Sequence, residues 1–256
     1  MTSLSYADRA LSIYNPSIEP GAVIKVLGGR PADPNDWPAT YAVRNGSQRC
    51  TANLIGSRVI LTAGHCVDDD QKGQLYVGPN AHNFDALDIT CDRLISRMFP
   101  SSADFALCLT ETSILSSYPS IRFEEIFRYL TLVRKFRKVT ALGFGCTEIG
   151  GTPDGLLTSG IARIVSVPTT NLYIQTRGPN GLCSGDSGGS AFMYSNRDKT
   201  KRVIVGVSSL GNSPSRLSAF SAVGTKVFVR WARRWADQND VYICGLHRKA
   251  RNCRNN

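Results

Sequence analysis

The chain has 256 residues, with 30 lysines and arginines against 20 acids, a net charge of +10, 42% hydrophobic residues and 20% charged. That length holds one large domain or two small lobes, and the balance is that of a globular chain with ample material for a core. No apolar run reaches the roughly eighteen residues of a membrane-spanning helix, so membrane insertion is not expected.

In chain order, residues 1–25 lack a basic start followed by an apolar run, so no export signal is read there. Residues 31–38 are rich in proline and read as a loop. From about residue 38 to 225, short β-branched and apolar runs alternate with Gly, Pro, Asn, Asp and Ser. Strands are expected near 58–62, 105–110, 138–144, 161–167, 171–176, 202–208 and 217–223. This rhythm predicts an all-β antiparallel sandwich or barrel; the βα alternation of a parallel sheet is missing. Residues 113–120 are loop-like and are the expected link between two halves. The clearest helical segment is 226–237, where Val227, Trp231 and Trp235 recur on one face at a four-residue step. It should dock on the β body, leaving 239–256 as a basic tail.

The positive charge permits an acidic surface as partner, with thickenings at 122–138 and 230–254. The cations are otherwise scattered and no aromatic-interleaved RNA motif accompanies them, so no nucleic-acid partner is expected. Eight cysteines, Cys50, Cys66, Cys91, Cys108, Cys146, Cys183, Cys244 and Cys253, contain no C-x-x-C pair. A structural zinc site is therefore not expected, and no cofactor is read from the chain. An even set without close pairs fits four disulfides in an oxidising compartment, either secreted or periplasmic, with the export signal removed. Spacing alone leaves 105 connectivities open.

Three histidines exist, His65, His82 and His247, so an imidazole base must be one of them. Gly185-Asp186-Ser187-Gly188-Gly189 surrounds a serine with glycines that permit a sharp turn and free the N–H groups of Gly185 and Ser187 for a developing oxyanion. Gly-x-Ser-x-Gly also describes the nucleophile elbow of α/β-hydrolases, where acid and histidine follow the serine. Only His247 follows Ser187, in the basic tail, and the elbow reading fails. Leu61-Thr62-Ala63-Gly64-His65-Cys66 ends an apolar strand on a histidine flanked by small residues. Ser102-Ala103-Asp104-Phe105-Ala106-Leu107 sets a lone carboxylate at the start of another, where burial would require a donor such as an imidazole N–H.

The order His65, Asp104, Ser187 resembles the chymotrypsin/trypsin family of serine peptidases, over roughly residues 26–238. The resemblance implies two antiparallel Greek-key barrels with the site in the cleft between them, approximately 26–118 and 119–225, followed by the helix. It also implies roles. Ser187 attacks the peptide carbonyl, His65 carries the proton, Asp104 fixes the imidazole tautomer, and the amides of Gly185 and Ser187 form the oxyanion hole. Val26-Leu27-Gly28-Gly29-Arg30, after Lys25, resembles the family's mature N-terminus, with Leu27 where valine is usual. Residues 1–25 would then be a propeptide, and cleavage after Lys25 would free an amine to pair with Asp186 and order the oxyanion loop.

Cys50 and Cys66 resemble the family's bridge beside the histidine. Cys146 is paired with Cys183 because the latter's usual family partner is missing, and Cys91–Cys108 and Cys244–Cys253 follow by proximity and elimination. The resemblance places the primary pocket floor at Gly181, beside Leu182, with walls at Ser209, Leu210, Gly211 and Ala222. None carries a charge, so cleavage after apolar residues rather than Lys or Arg is expected. Ser209, Leu210 and Gly211 would pair with substrate as an added strand. An activating trypsin-like protease is then required, and the chain is expected to act on proteins or peptides as a monomer. Asp68, Asp69 and Asp70 fall near a calcium loop of some relatives but read as a solvated turn. Asn45-Gly46-Ser47 is a sequon. The rival readings are a catalytically idle homologue binding anionic partners and a lipase or esterase.

Overall fold

The computed structural model describes residues 26–67, 72–80, 83–146, 151–153, 155–195, 198, 200–212 and 214–255. The expectations for residues 1–25 with Lys25, for Asp68, Asp69 and Asp70, and for His82 lie outside these residues.

A short strand β1 (Arg30–Pro31) precedes two closed six-stranded antiparallel barrels. The first contains β2 (Thr40–Asn45), β3 (Gln48–Leu54), β4 (Val59–Thr62), β5 (Lys72–Asn80), β6 (Asn83–Arg93) and β7 (Ala106–Thr110), closed in the order β2-β3-β4-β7-β6-β5. The second contains β8 (Lys138–Gly143), β9 (Thr158–Ser166), β10 (Tyr173–Arg177), β11 (Ser190–Tyr194), β12 (Arg202–Asn212) and β13 (Leu217–Ala222). Its order is β8-β9-β10-β13-β12-β11, with β11 returning to β8. Closure leaves no bare sheet edge in either barrel. One apolar core fills the first barrel and continues into the interface through Leu142, Phe144, Phe192 and Val207; a second fills the other barrel around Ile164, Ile174, Val205 and Phe220.

Residues 26–31 lie against the second barrel, not the first. The Leu27 carbonyl accepts from Gly181 N at 3.2 Å, and β1 pairs with β9. The chain crosses between barrels at 124–127, later than the 113–120 stretch that reads as a linker. Ile114 is buried there, its N–H bonded to the Ser57 carbonyl of the first barrel. Glu124 N donates to Leu54 O on one side, and Phe127 N donates to Ile204 O on the other.

The helix α1 (Lys226–Gln238) is N-capped by Thr225, whose hydroxyl accepts from Phe228 N at 3.3 Å. Its buried residues are Phe228, Ala232, Trp235 and Ala236, whereas Val227 and Trp231 are only half-buried. A four-residue step drifts about 40° per turn against the 3.6-residue period, so the stripe read from sequence leaves the buried face at its first two members. The C-terminal tail is not a free basic arm. Val241, Ile243, Cys244, Leu246, Ala250 and Cys253 are buried. Cys244 N donates to Ile55 O, and Ile126 N and Arg254 N donate to Cys244 O and Phe123 O, tying the tail to the crossover. The disulfides pair Cys50–Cys66, Cys91–Cys108, Cys146–Cys183 and Cys244–Cys253.

Candidate active site

Strand β4 is buried along its whole length and ends at Thr62; after Ala63 a 3-10 turn, Gly64–Cys66, turns His65 outward. Cys66 anchors the turn to β3 through Cys50. Gly64 is needed for a close approach: a Cβ there would sit 3.1 Å from Asp104 Oδ1 and 3.2 Å from Phe105 O. Asp104 stands just before β7, the antiparallel neighbour of β4, so two separate strands bring the imidazole and carboxylate together. His65 N donates to Asp104 Oδ1 at 2.8 Å, and His65 Nδ1 lies 2.7 Å from Asp104 Oδ2. A carboxylate only accepts, so Nδ1 is the donor, and in the neutral ring the lone pair lies on Nε2.

Ser209 adds a third donor, its hydroxyl 2.6 Å from Asp104 Oδ2. Burial pushes the Asp104 carboxyl upward, but the hydrogen bonds and charge of His65, with the Ser209 bond, outweigh it and hold the group below the usual carboxylate range. The sequence singled out Ser209 as a substrate contact; its bond to the acid is a role that no local motif announces.

The glycine-rich loop sits at the barrel interface. Gly185 and Gly188 have φ of +95° and +81°, the left-handed region that costs glycine nothing. Thr51 of β3 fastens the loop to the first barrel: its N–H donates to Ser187 O at 2.8 Å and its hydroxyl to Gly185 O at 2.9 Å. Gly188 packs so tightly on Thr62 and Ala63 that a Cβ would collide with the Thr62 hydroxyl and the Thr51 carbonyl. Ser187 is thus held beside the strand end that carries His65, and it is half-buried. Among the described residues no hydrogen bond joins its hydroxyl to His65, and such contacts often tighten only around substrate. The N–H groups of Gly185 and Ser187 donate to no group among the described residues.

Asp186 points the other way. It is fully buried, with Oδ1 accepting from Gly145 N and Oδ2 from Cys183 N, both at 2.9 Å. No cation pairs with it among the described residues, and burial pushes its carboxyl up to about 7 against the pull of those two amides. Gly143 and Gly145 lie against it so closely that neither position could carry a Cβ.

The expected pocket residues converge in part. Gly181 and Leu182 are buried, and a small cavity behind them is lined by Val26, Ala162, Asn180 and Phe220. Leu182 packs in the second core, and its carbonyl lies 2.8 Å from where a Gly211 Cβ would stand, so the two walls touch. Leu210 is half-buried, and Ala222 is buried with its N–H bonded to Leu172 O. Arg216, which sequence reading passed over, wraps beneath Gly181; its guanidinium donates to Leu27 O at 2.6 Å and Pro179 O at 2.8 Å. Cys50, His65 and Cys66 bring three potential metal-ligand atoms together, but both sulfurs are spent in one disulfide. His247 lies in the tail, accepting from Ile243 N at 3.0 Å, remote in role from Ser187.

The family model described as Trypsin matches residues 26–232. Over 182 residues the chain is 25% identical to neutrophil elastase of Mus musculus, covering 66% of this chain and 69% of that protein. The fold is similar to that of the secreted serine protease VesC from Vibrio cholerae, with a TM-score of 0.64 and 25% identity. That match covers 80% of this chain and 47% of the other, so the chain spans about half the length of that relative. With the two barrels in agreement, the chain belongs to the trypsin family of serine-type endopeptidases.

Proposed function

We propose that the chain hydrolyses peptide bonds through an acyl-enzyme formed on Ser187. His65 Nε2 takes the hydroxyl proton and returns it to the leaving amine, while Asp104 holds the ring and stabilises the imidazolium. The observation that carries this reading is the paired hydrogen bonding of His65 to Asp104, which leaves Nε2 as a base at the strand end where the Ser187 loop is fastened. The amides of Gly185 and Ser187, which donate to no group among the described residues, support the oxyanion role, where each donor is worth about 3 kcal/mol. Proteins or peptides are the substrates, and four disulfides support an extracellular setting.

Activation is by cleavage after Lys25, carried out by a trypsin-like enzyme. Asp186, buried and without a cation among the described residues, supports it: a new ammonium at Val26 would supply the missing charge. Apolar primary specificity is supported by Gly181, which offers no carboxylate, and by the Arg216 side chain directly beneath it, which disfavours a substrate cation.

A fluorophosphonate probe tests the central reading. The chain cleaved before Val26 should be labelled and the Ser187→Ala variant should not; an unlabelled cleaved chain supports the idle homologue instead. N-terminal sequencing of the active species should read Val26-Leu27-Gly28. Profiling with peptides varied before the cut should favour apolar residues, and a dominant Lys/Arg preference overturns that part.

A further inference from the structure

The outer face of β8, β9 and β10 carries two features that the peptidase reading does not use. Lys138 of β8 stands directly opposite Arg163 of β9, which stands opposite Arg177 of β10. All three are exposed, and none has a carboxylate partner among the described residues. Neighbouring strands lie about 4.8 Å apart, so three cations fall in one row about 10 Å long. Like charges placed directly opposite each other destabilise a sheet.

Apolar side chains interleave with this row. On β9 the alternation turns Ile161, Arg163 and Val165 outward together, with Ile161 52% and Val165 37% exposed. Phe136 is 76% exposed and held in place by the backbone: its N–H donates to Ile164 O at 2.7 Å, and its carbonyl accepts from Arg163 Nη1 at 3.4 Å. Its φ of +68° is unfavourable for a bulky residue, so the exposed ring is held there at a conformational cost.

We infer that this face is a peripheral docking surface for an anionic lipid bilayer, with the cation row on the headgroups and Phe136, Ile161 and Val165 in the interfacial layer. Charge complementarity selects an anionic partner. The interleaved apolar side chains select a bilayer, because a dissolved polyanion would use the cations and leave those groups in water. The contact is peripheral and requires no spanning segment.

Co-sedimentation of the full chain tests this, using vesicles of phosphatidylcholine alone and of phosphatidylcholine mixed equally with phosphatidylglycerol. The chain should bind the mixed vesicles at least about tenfold more tightly than the neutral ones. The double variant Lys138→Glu, Arg163→Glu should lose that preference, and Phe136→Ser should weaken binding severalfold while still eluting with the parent from a heparin column. Thermal melting of each variant separates loss of the surface from loss of fold. Equal binding to both vesicle types overturns the inference. So does a charge-reversal loss on heparin and vesicles alike with Phe136→Ser unchanged on both, which marks a polyanion surface instead.

Discussion

Both carboxylate oxygens of Asp104 are engaged by His65, Oδ1 by its backbone N–H at 2.8 Å and Oδ2 by its Nδ1 at 2.7 Å. The backbone bond fixes where the acid sits, and the ring bond fixes which imidazole nitrogen holds the proton. Asp104→Asn should therefore keep the fold and the position of the side chain, while its amide can present a donor to Nδ1. That reverses the tautomer and removes the base at Nε2. In the best-known case of this chemistry the same exchange lowers turnover about 10⁴-fold, and a loss of that order in kcat is expected here with the disulfides and melting temperature little changed. Turnover close to that of the parent chain would contradict the assigned role.

Asp186 makes the uncleaved chain pH-sensitive in an unusual direction. Its ordinary pKa of 3.8 rises to about 7 in the folded chain, chiefly through burial, with the Cys183 and Gly145 amides opposing. The folded chain therefore keeps a proton that the unfolded chain releases, and stability from this group is full below about pH 4 and lost as pH rises through about 7. The change is of order a few kcal/mol. Denaturant melts of the uncleaved chain across this window should show stability falling with pH. Asp186→Asn should flatten the dependence. If the proposed activation holds, the chain cleaved before Val26 would pair an ammonium with this carboxylate and keep it ionised, and the fall should shrink or reverse.

The crossover between barrels is fastened by charge. Glu124 is fully buried and is held by Arg202 Nη2 at 2.5 Å and Arg254 Nε at 3.2 Å, so one carboxylate joins the linker, the second barrel and the C-terminal tail. Arg202 is itself 95% buried, with its guanidinium 3.4 Å from the Trp37 ring centre. Glu124→Ala leaves two guanidinium groups without their acid, one of them buried, and should cost about 3–5 kcal/mol. Arg254→Ala removes a partly exposed partner and should cost less than half as much. Paired urea melts give the ordering; an Arg254 effect as large as that of Glu124 would refute it.

What the sequence made legible was local. Ala63-Gly64-His65-Cys66 and Gly185-Asp186-Ser187-Gly188-Gly189 announce themselves because the backbone needs glycines at φ values, or approaches, that other residues do not tolerate. Strands with uninterrupted apolar runs, such as β4 and β7, could be read directly. Others were not read: β6 carries Asp85, Asp88 and Asp92 among its apolar residues, and β3 begins with Gln48 and Arg49. Barrel closure, rather than composition, makes these segments strands. The Glu124 cluster, the docked tail and the Ser209 bond to Asp104 depend on residues 78 to 130 positions apart, and no local period encodes such pairings. The contact of Leu182 with Gly211 is of the same kind.

Arg216 combines strain with anchorage, and the two can be separated. Its φ is +52°, which costs a residue with a Cβ about 1 kcal/mol, while its guanidinium bonds the carbonyls of Leu27 and Pro179 on either side of the Gly181 loop. Hydrogen bonds from a charged donor are worth about 1.5–3 kcal/mol. Arg216→Ala loses the anchorage and keeps the strain, so it should be destabilised by about 2 kcal/mol. Arg216→Gly loses the same bonds but relieves the backbone and should recover about 1 kcal/mol of that. Because Leu27 O also accepts from Gly181 N, loosening it should disturb the proposed pocket floor at Gly181 more than the proposed reacting groups. In the cleaved enzyme both variants should raise KM for a peptide substrate while kcat changes little. Equal melting of the Ala and Gly variants would show that the left-handed backbone is not held against a cost, and a loss confined to kcat would place Arg216 in a different role from the one its contacts describe.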